Sequence, residues 1–354
     1  EQVIQDKQQI KQENLTIDEK VDKTVESMSQ TEKLGQMVMI GIQGTKVDDD
    51  SLYMLNQYHM GGVILFDRNM ESPEQVKQLT SDLQAQSNEK VPLFIGIDEE
   101  GGDVVRMAEK LTPPPSQKEI GSTGDIEQAK TWAVKTAKSL KDMGVNVNFA
   151  PVADVGSNDK RSYSTDTNTV IDFVRAATKG YQQENIIYSL KHFPGIGKGR
   201  VDSHVDSSSI DVAKEVLMAE DILPFKTIID GNEPNDYFIL VSHLKYPALD
   251  EEYPASLSSK IMTDLLRNEL GYKGIIITDD MEMGAVANHN DFRSIGVKAV
   301  KAGADIVLVC HEYKHQQEVY LGLLDAVNSG EISQERIDES VKRIIKVKLL
   351  HLYQ

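Results

Sequence analysis

Cysteine is nearly missing from this chain of 354 residues: Cys310 stands alone, which excludes an intramolecular disulfide. A CxxC pair is excluded with it, and no metal or other cofactor is expected. Long apolar runs are also missing. None reaches the roughly 18 residues that mark a membrane-spanning helix. Basic charge is in deficit, with 38 Lys and Arg against 56 Asp and Glu and a formal net charge of −18. Nucleic acid and anionic membrane surfaces are polyanions and make poor partners for such a chain; a neutral ligand is easier to accommodate. The first twenty residues, EQVIQDKQQIKQENLTIDEK, lack both an initiator Met and an apolar signal core. Polar and rich in Gln and Lys, they open an expected arm or tether over residues 1–29. Such an arm suits a mature exported protein, extracellular or held at the cell envelope, whose signal or lipid anchor has been removed, with a cytoplasmic chain as the alternative.

From residue 30 onward short β-rich apolar runs alternate with amphipathic segments, the signature of βα units feeding a parallel sheet. Eight such runs can be counted: QMVMIGIQG (36–44), GGVILF (61–66), PLFIGID (92–98), VNVNFAPVAD (145–154), IIYSLKHF (186–193), YFILVSH (237–243), GIIITDD (274–280) and ADIVLVCH (304–311). Between them SPEQVKQLTSDLQAQSNE, DIEQAKTWAVKTAKSLKDMG and SSKIMTDLLRNELG each start on a Ser or Asp able to cap a helix, and the last two close on a Gly. Eight units predict an α/β fold, a single-domain (β/α)8 barrel of the TIM type over residues 30–354, with a doubly wound open sheet as the alternative. The C-terminal SQERIDESVKRIIKVKLLHL, apolar at helical spacing, would close the last layer.

Chemistry collects where the runs end. Asp98 ends the third, Asp154 the fourth, Lys191 and His192 the fifth, His243 the sixth, Asp279 and Asp280 the seventh, His311 the eighth. In a parallel barrel the carboxyl ends of the strands build the active site, and ordinary surface charges would have scattered instead. Asp98 is followed by EEGGDVVR, where paired glycines permit a sharp turn and Arg106 can pair with nearby carboxylates. Asp154, ahead of VGSNDKRSY, is expected to hydrogen-bond its own turn. His243 and His311 fit core histidines and ligand contacts equally well. Asp279 follows IIIT, so it stands at the mouth of a buried strand as either a nucleophile or an anchor for ligand hydroxyls, while Asp280 should point to the other face. The glycine-rich stretch after β-run five, KHFPGIGKGRVDSHVD, holds Asp202 two residues before His204. An Asp so placed can accept from the imidazole Nδ1–H, leaving Nε2 as an acid/base.

These motifs together, GGVILF, IDEEGG, NVNFAPVADV, KHFPGIG with DSH, GIIITDDMEMGA and AVKAGADIVLVC, make the chain from about residue 30 onward resemble the β-N-acetylhexosaminidase branch of glycoside hydrolase family 3. The resemblance implies retaining hydrolysis of terminal β-linked N-acetylglucosamine without a metal, from peptidoglycan fragments or chitooligosaccharides. It implies Asp279 as nucleophile, His204 as general acid/base with Asp202 as its partner, and Asp98, Arg161, Lys191 and His192 as the residues holding the terminal sugar. Arg106 joins them as a substrate-binding candidate. Two departures stand out: Ile196 and Lys198 replace the His and Asp of the common KHFPGHGDT turn, and GSNDKRSY is shorter than the usual segment before Arg161. The expected partner is a small carbohydrate substrate, and the protein is expected to be a monomer. The alternatives are another β-glycosidase or a phosphorolytic variant of the family, or a sugar-binding barrel without turnover. A metal-dependent barrel hydrolase is disfavoured because the first run, ending IGIQG, has no HxH pair.

Overall fold

Each of the eight apolar runs contains a strand in the computed structural model, which describes residues 15–87, 91–156, 160–199 and 208–353. They are β1 (Val38–Gly41), β2 (Gly62–Leu65), β3 (Phe94–Ile97), β4 (Val147–Asn148), β5 (Ile187–Phe193), β6 (Tyr237–Val241), β7 (Ile275–Thr278) and β8 (Val307–Val309). Every strand position is buried, because helices cover the outer face and the inner face fills the barrel; this is why the runs read as continuous rather than alternating.

All pairs are parallel and follow sequence order from β1 to β7, with β8 beside β1. A parallel bridge between Ile277 and Ile306 then joins β7 to the entrance of β8, and the sheet returns on itself. A doubly wound sheet would reverse its strand order partway; this one is a barrel. β4 is shorter than its run, since Pro151 has no N–H for the ladder, and the chain rejoins β5 through a single bridge between Val152 and Lys191. Inside the ring a Cβ on Gly96 would stand 2.7 Å from both Met39 and Phe149, so glycine there lets those two side chains fill the barrel.

Helices start where the sequence places caps: Ser72 accepts from Gln75 N ahead of Pro73–Gln86, and Gly144, at φ 77°, lies just past the end of Glu127–Asp142. SSKIMTDLLRNELG yields Lys260–Glu269, wound as a π-helix. Within the stretch read as an arm, Ile17–Ser27 is a helix. Thr16 and Glu19 form its capping box, Val21 and Val25 are buried, and Asp18 and Asp22 reach Lys346 and Lys342 of Gln334–His351 at 2.7 Å. Packed structure therefore begins ahead of residue 30. The C-terminal helix also buries Lys348, whose Nζ donates to Gln36 Oε1 at 2.6 Å and Gly61 O at 2.7 Å beneath the Phe94 ring. The same helix fastens Asp305, at the approach to β8, through Ser340 and Arg343, while Arg267 reaches that carboxylate from Lys260–Glu269.

Candidate active site

The carboxyl ends of the strands surround a cavity of about 330 Å³. Asp98, Arg106, Arg161, Lys191, His192 and Asp279, all singled out from the sequence, line it together. Asp202 and His204 lie outside the described residues. A second cavity, about 290 Å³, opens at the opposite end of the barrel between Met28, Leu55, Met60 and Val91.

One wall of the first cavity is a charge network centred on Lys191 of β5. Its Nζ lies 2.8 Å from Asp98 Oδ1 and 2.6 Å from Glu100 Oε1. Arg106 holds the other oxygen of Asp98 at 3.1 Å, and Arg161 grips Glu100 with two nitrogens, Nε at 2.9 Å and an Nη at 2.6 Å. The bidentate geometry suits a guanidinium and would be lost with lysine. Burial alone would raise both carboxyls. The cations reverse that, Lys191 first, holding Asp98 far below the usual carboxylate range and Glu100 down to about 2. Burial lowers Lys191 in turn, but Asp98 and Glu100 outweigh it and hold its ammonium above the ordinary value.

His192 is set by Asp154. The carboxylate accepts the His192 backbone N–H at 3.1 Å, faces its Nδ1 at 2.7 Å and accepts from Ile196 N at 2.9 Å. Asp154 thus fastens the end of β5 and the turn beyond it, not the turn after β4 as expected. With Nδ1–H given to Asp154, Nε2 is the acceptor for Arg161 at 3.2 Å. Three peptide bonds at this end of the barrel are cis: Ala150–Pro151, Lys191–His192 and Phe193–Pro194.

The opposite wall carries Asp279. Its backbone N–H continues the ladder to Val241 O at 3.0 Å, and its Oδ1 accepts from Asp280 N at 2.9 Å; among the described residues no lysine or arginine pairs with it. Asp280 is engaged differently, accepting from Glu282 N and Cys310 N at 3.1 Å and facing His311 Nε2 at 3.4 Å, so it ties β7 to β8. His243 is a buried structural histidine between Ser256 Oγ and Asp280 O. His311 is half-exposed at the cavity rim, where Arg68 meets its Nδ1 at 3.1 Å. Ligand atoms of Asp280, Glu282 and His311 come within 4.8 Å of one another. Those of Glu282 already receive the backbone N–H groups of His311 and Glu312, and Arg68 beside them repels a cation.

Sequence reasoning missed Glu99, Glu100 and Arg68. The signal was there for the first two: DEEGG offers three consecutive acids at a strand end, more than one ligand anchor needs. Of the two residues that depart from the common turn, Ile196 lines the cavity, and Lys198 turns away to pair with Glu220 at 2.9 Å and with Asp221.

The family model described as glycosyl hydrolase family 3 N terminal domain matches residues 29–347. A β-hexosaminidase A from Pseudoalteromonas piscicida is 35% identical over 83% of this chain, which spans 54% of that relative's length. A β-hexosaminidase from Nitrosomonas eutropha is 31% identical over 86% of this chain and 90% of its own. Among solved structures, a glycoside hydrolase family 3 β-N-acetylglucosaminidase from Paenibacillus sp. str. FPU-7 superposes with a TM-score of 0.88 at 37% identity, covering 91% of this chain and 62% of that one.

Proposed function

The chain belongs to glycosyl hydrolase family 3, and from that premise we propose that it is a retaining, exo-acting β-N-acetylglucosaminidase, releasing terminal β-linked N-acetylglucosamine from peptidoglycan fragments or chitooligosaccharides. One observation carries this reading: the cavity sets an aspartate with no cationic partner among the described residues, Asp279, against a cluster of paired acids and bases able to bind hydroxyls. Asp98, Lys191 and Arg106 would grip the hydroxyls of the terminal sugar, with Arg161 and His192 beside them. That places the anomeric carbon before Asp279, whose oxygen attacks it through an oxocarbenium-like transition state to give a glycosyl ester. His204, steadied by Asp202, gives its proton to the departing oxygen and then takes one from the water that cleaves the ester.

Leaving groups test the assignment. A nitrophenolate departs without a proton and a sugar alkoxide cannot, so His204→Ala should slow a disaccharide at least tenfold more than an aryl glycoside in forming the ester. The aryl substrate should then show a burst with the sugar trapped on Asp279, because ester hydrolysis still lacks its base. Asp279→Ala should abolish both reactions. Equal slowing of the two substrates by His204→Ala, with no adduct on Asp279 by mass spectrometry, would refute both roles.

A further inference from the structure

Glu99 is the buried acid that the charge network leaves out. It stands between Asp98 and Glu100, 2% exposed, yet Lys191 and Arg161 serve only its neighbours. Its Oε2 accepts the backbone N–H of Arg106 at 2.9 Å, and its own backbone N–H and C=O are tied to the Asn148 amide at 3.0 and 3.1 Å. Its Oε1 is buried without a hydrogen-bond partner among the described residues, and so is the Nε of Arg106. Here an orphaned acceptor and an orphaned donor belong to two residues already joined by a hydrogen bond. Buried polar groups are almost always paired, and a turn of the Arg106 side chain that brought these two together would satisfy both.

We propose that Glu99 is a positioning residue that moves the Arg106 guanidinium between two settings, one on Asp98 and one on Glu99 itself, as its carboxyl gains or loses a proton. The proposal rests on the reading that Asp98 and Arg106 hold the terminal sugar. The groups facing Glu99 are Arg106 and Asp98 from its own loop, Asp67 from the loop after β2, Asn148 from β4 and the phenol of Tyr181, kept neutral by burial. Burial, helped by the charges of Asp98 and Asp67 and opposed by Arg106, pushes the carboxyl of Glu99 up to about 7. Below that pH it is neutral, and Arg106 keeps its outer nitrogens on Asp98, at 3.1 Å, and toward Asp67, at 3.7 Å. Above it, the proton leaves to solvent and a buried anionic Oε1 requires a donor. The unpaired Arg106 Nε–H is the donor at hand, and turning it to Glu99 draws the guanidinium off Asp98. The sugar subsite then loses one of its fixed contacts.

Michaelis parameters on an aryl β-N-acetylglucosaminide, taken from about pH 5.5 to about pH 8.5, test this in the parent and in Glu99→Gln. Parent KM should rise roughly fivefold across a titration with kcat changing less, its midpoint at about 7. Glu99→Gln keeps the acceptor for Arg106 N–H without the charge, and its KM should stay level. A parent KM that is level, or one that rises equally in Glu99→Gln, overturns the proposal. Heteronuclear NMR of the Arg106 Nε, assigned by its loss in Arg106→Lys, reads the movement without substrate and should titrate with the same midpoint in the parent alone. Should no aryl glycoside be cleaved at any pH, the glycosidase reading has failed and the NMR decides the switch by itself. A non-titrating Nε sinks the switch even in an active enzyme, and the parent titration suffices where Glu99→Gln does not fold.

Discussion

The ammonium of Lys191 lies 2.6 Å from Glu100 Oε1, with neither side chain more than 3% exposed. Taking two such charges out of water is expensive, and their attraction repays it only because Asp98 and Arg161 complete the geometry. The cluster is therefore sensitive to losing any single member.

Acid should expose this first. Burial raises the Glu100 carboxyl, but Lys191 and Arg161 hold it down to about 2 against an ordinary value of 4.5. A carboxyl depressed on folding contributes stability that is present above its unfolded value and lost as pH falls through the folded one. The melting temperature of the parent should fall between those two values. Glu100→Gln should melt lower than the parent at neutral pH, by about 2–4 kcal/mol of unfolding free energy, and lose less on acidification. Equal acid slopes in thermal melts of the two proteins would count against the cluster.

Lys198, which departs from the common turn after β5, should act on stability. Asp221 is fully buried, and burial raises its carboxyl even with Lys198 beside it. The lysine is about one-third exposed, which discounts the pair, so Lys198→Ala is expected to cost about 1–2 kcal/mol. Asp221→Asn should recover part of that in the Lys198→Ala background, because an amide needs no counter-charge. Urea midpoints in a double-mutant cycle measure the coupling; strictly additive effects would show that the pair contributes nothing.

Lys348 should make stability rise toward alkaline pH. Burial pulls its amine well below the ordinary value, so between its folded and unfolded values the unfolded chain binds a proton that the folded one does not. Stability must then increase with pH until the unfolded amine also titrates, by up to about 1.4 kcal/mol per pH unit from this group. Lys348→Met should flatten the trend in urea midpoints over the range just below about pH 10, and an unchanged slope would refute it.

The strands were legible because burial on both faces demands runs of the IIIT kind, and their order because βα units wind in one direction. Most of the cavity was legible for a related reason: Asp98, Lys191, His192 and Asp279 sit at strand ends, and strand ends meet. Side-chain direction was not. Asp154 carries no mark in the sequence that it reaches across to β5, and Arg161, placed in the site by the family resemblance, carries no mark of its bidentate grip on Glu100. Ile17–Ser27 hid for a simpler cause. Only Val21 and Val25 of it are buried, so its apolar face is too sparse to separate it from a polar tether.

Asp305 sets the order in which the molecule can be completed. Ile277 and Ile306 are the residues at which the barrel closes, and the buried carboxylate beside them is matched by Arg267 from one side and by Arg336 and Arg343 from the C-terminal helix. A nascent chain that has already made all eight strands still lacks two of those three cations. The seam between β7 and β8 then has at its edge a buried carboxylate oxygen, Asp305 Oδ1, without the Ser340 and Arg343 donors that it takes in the finished fold, and closing it early is unfavourable. Ring closure is thus tied to the arrival of residues 336–343, and an incomplete chain presents an open sheet edge to chaperones, proteases and its own copies until that helix docks.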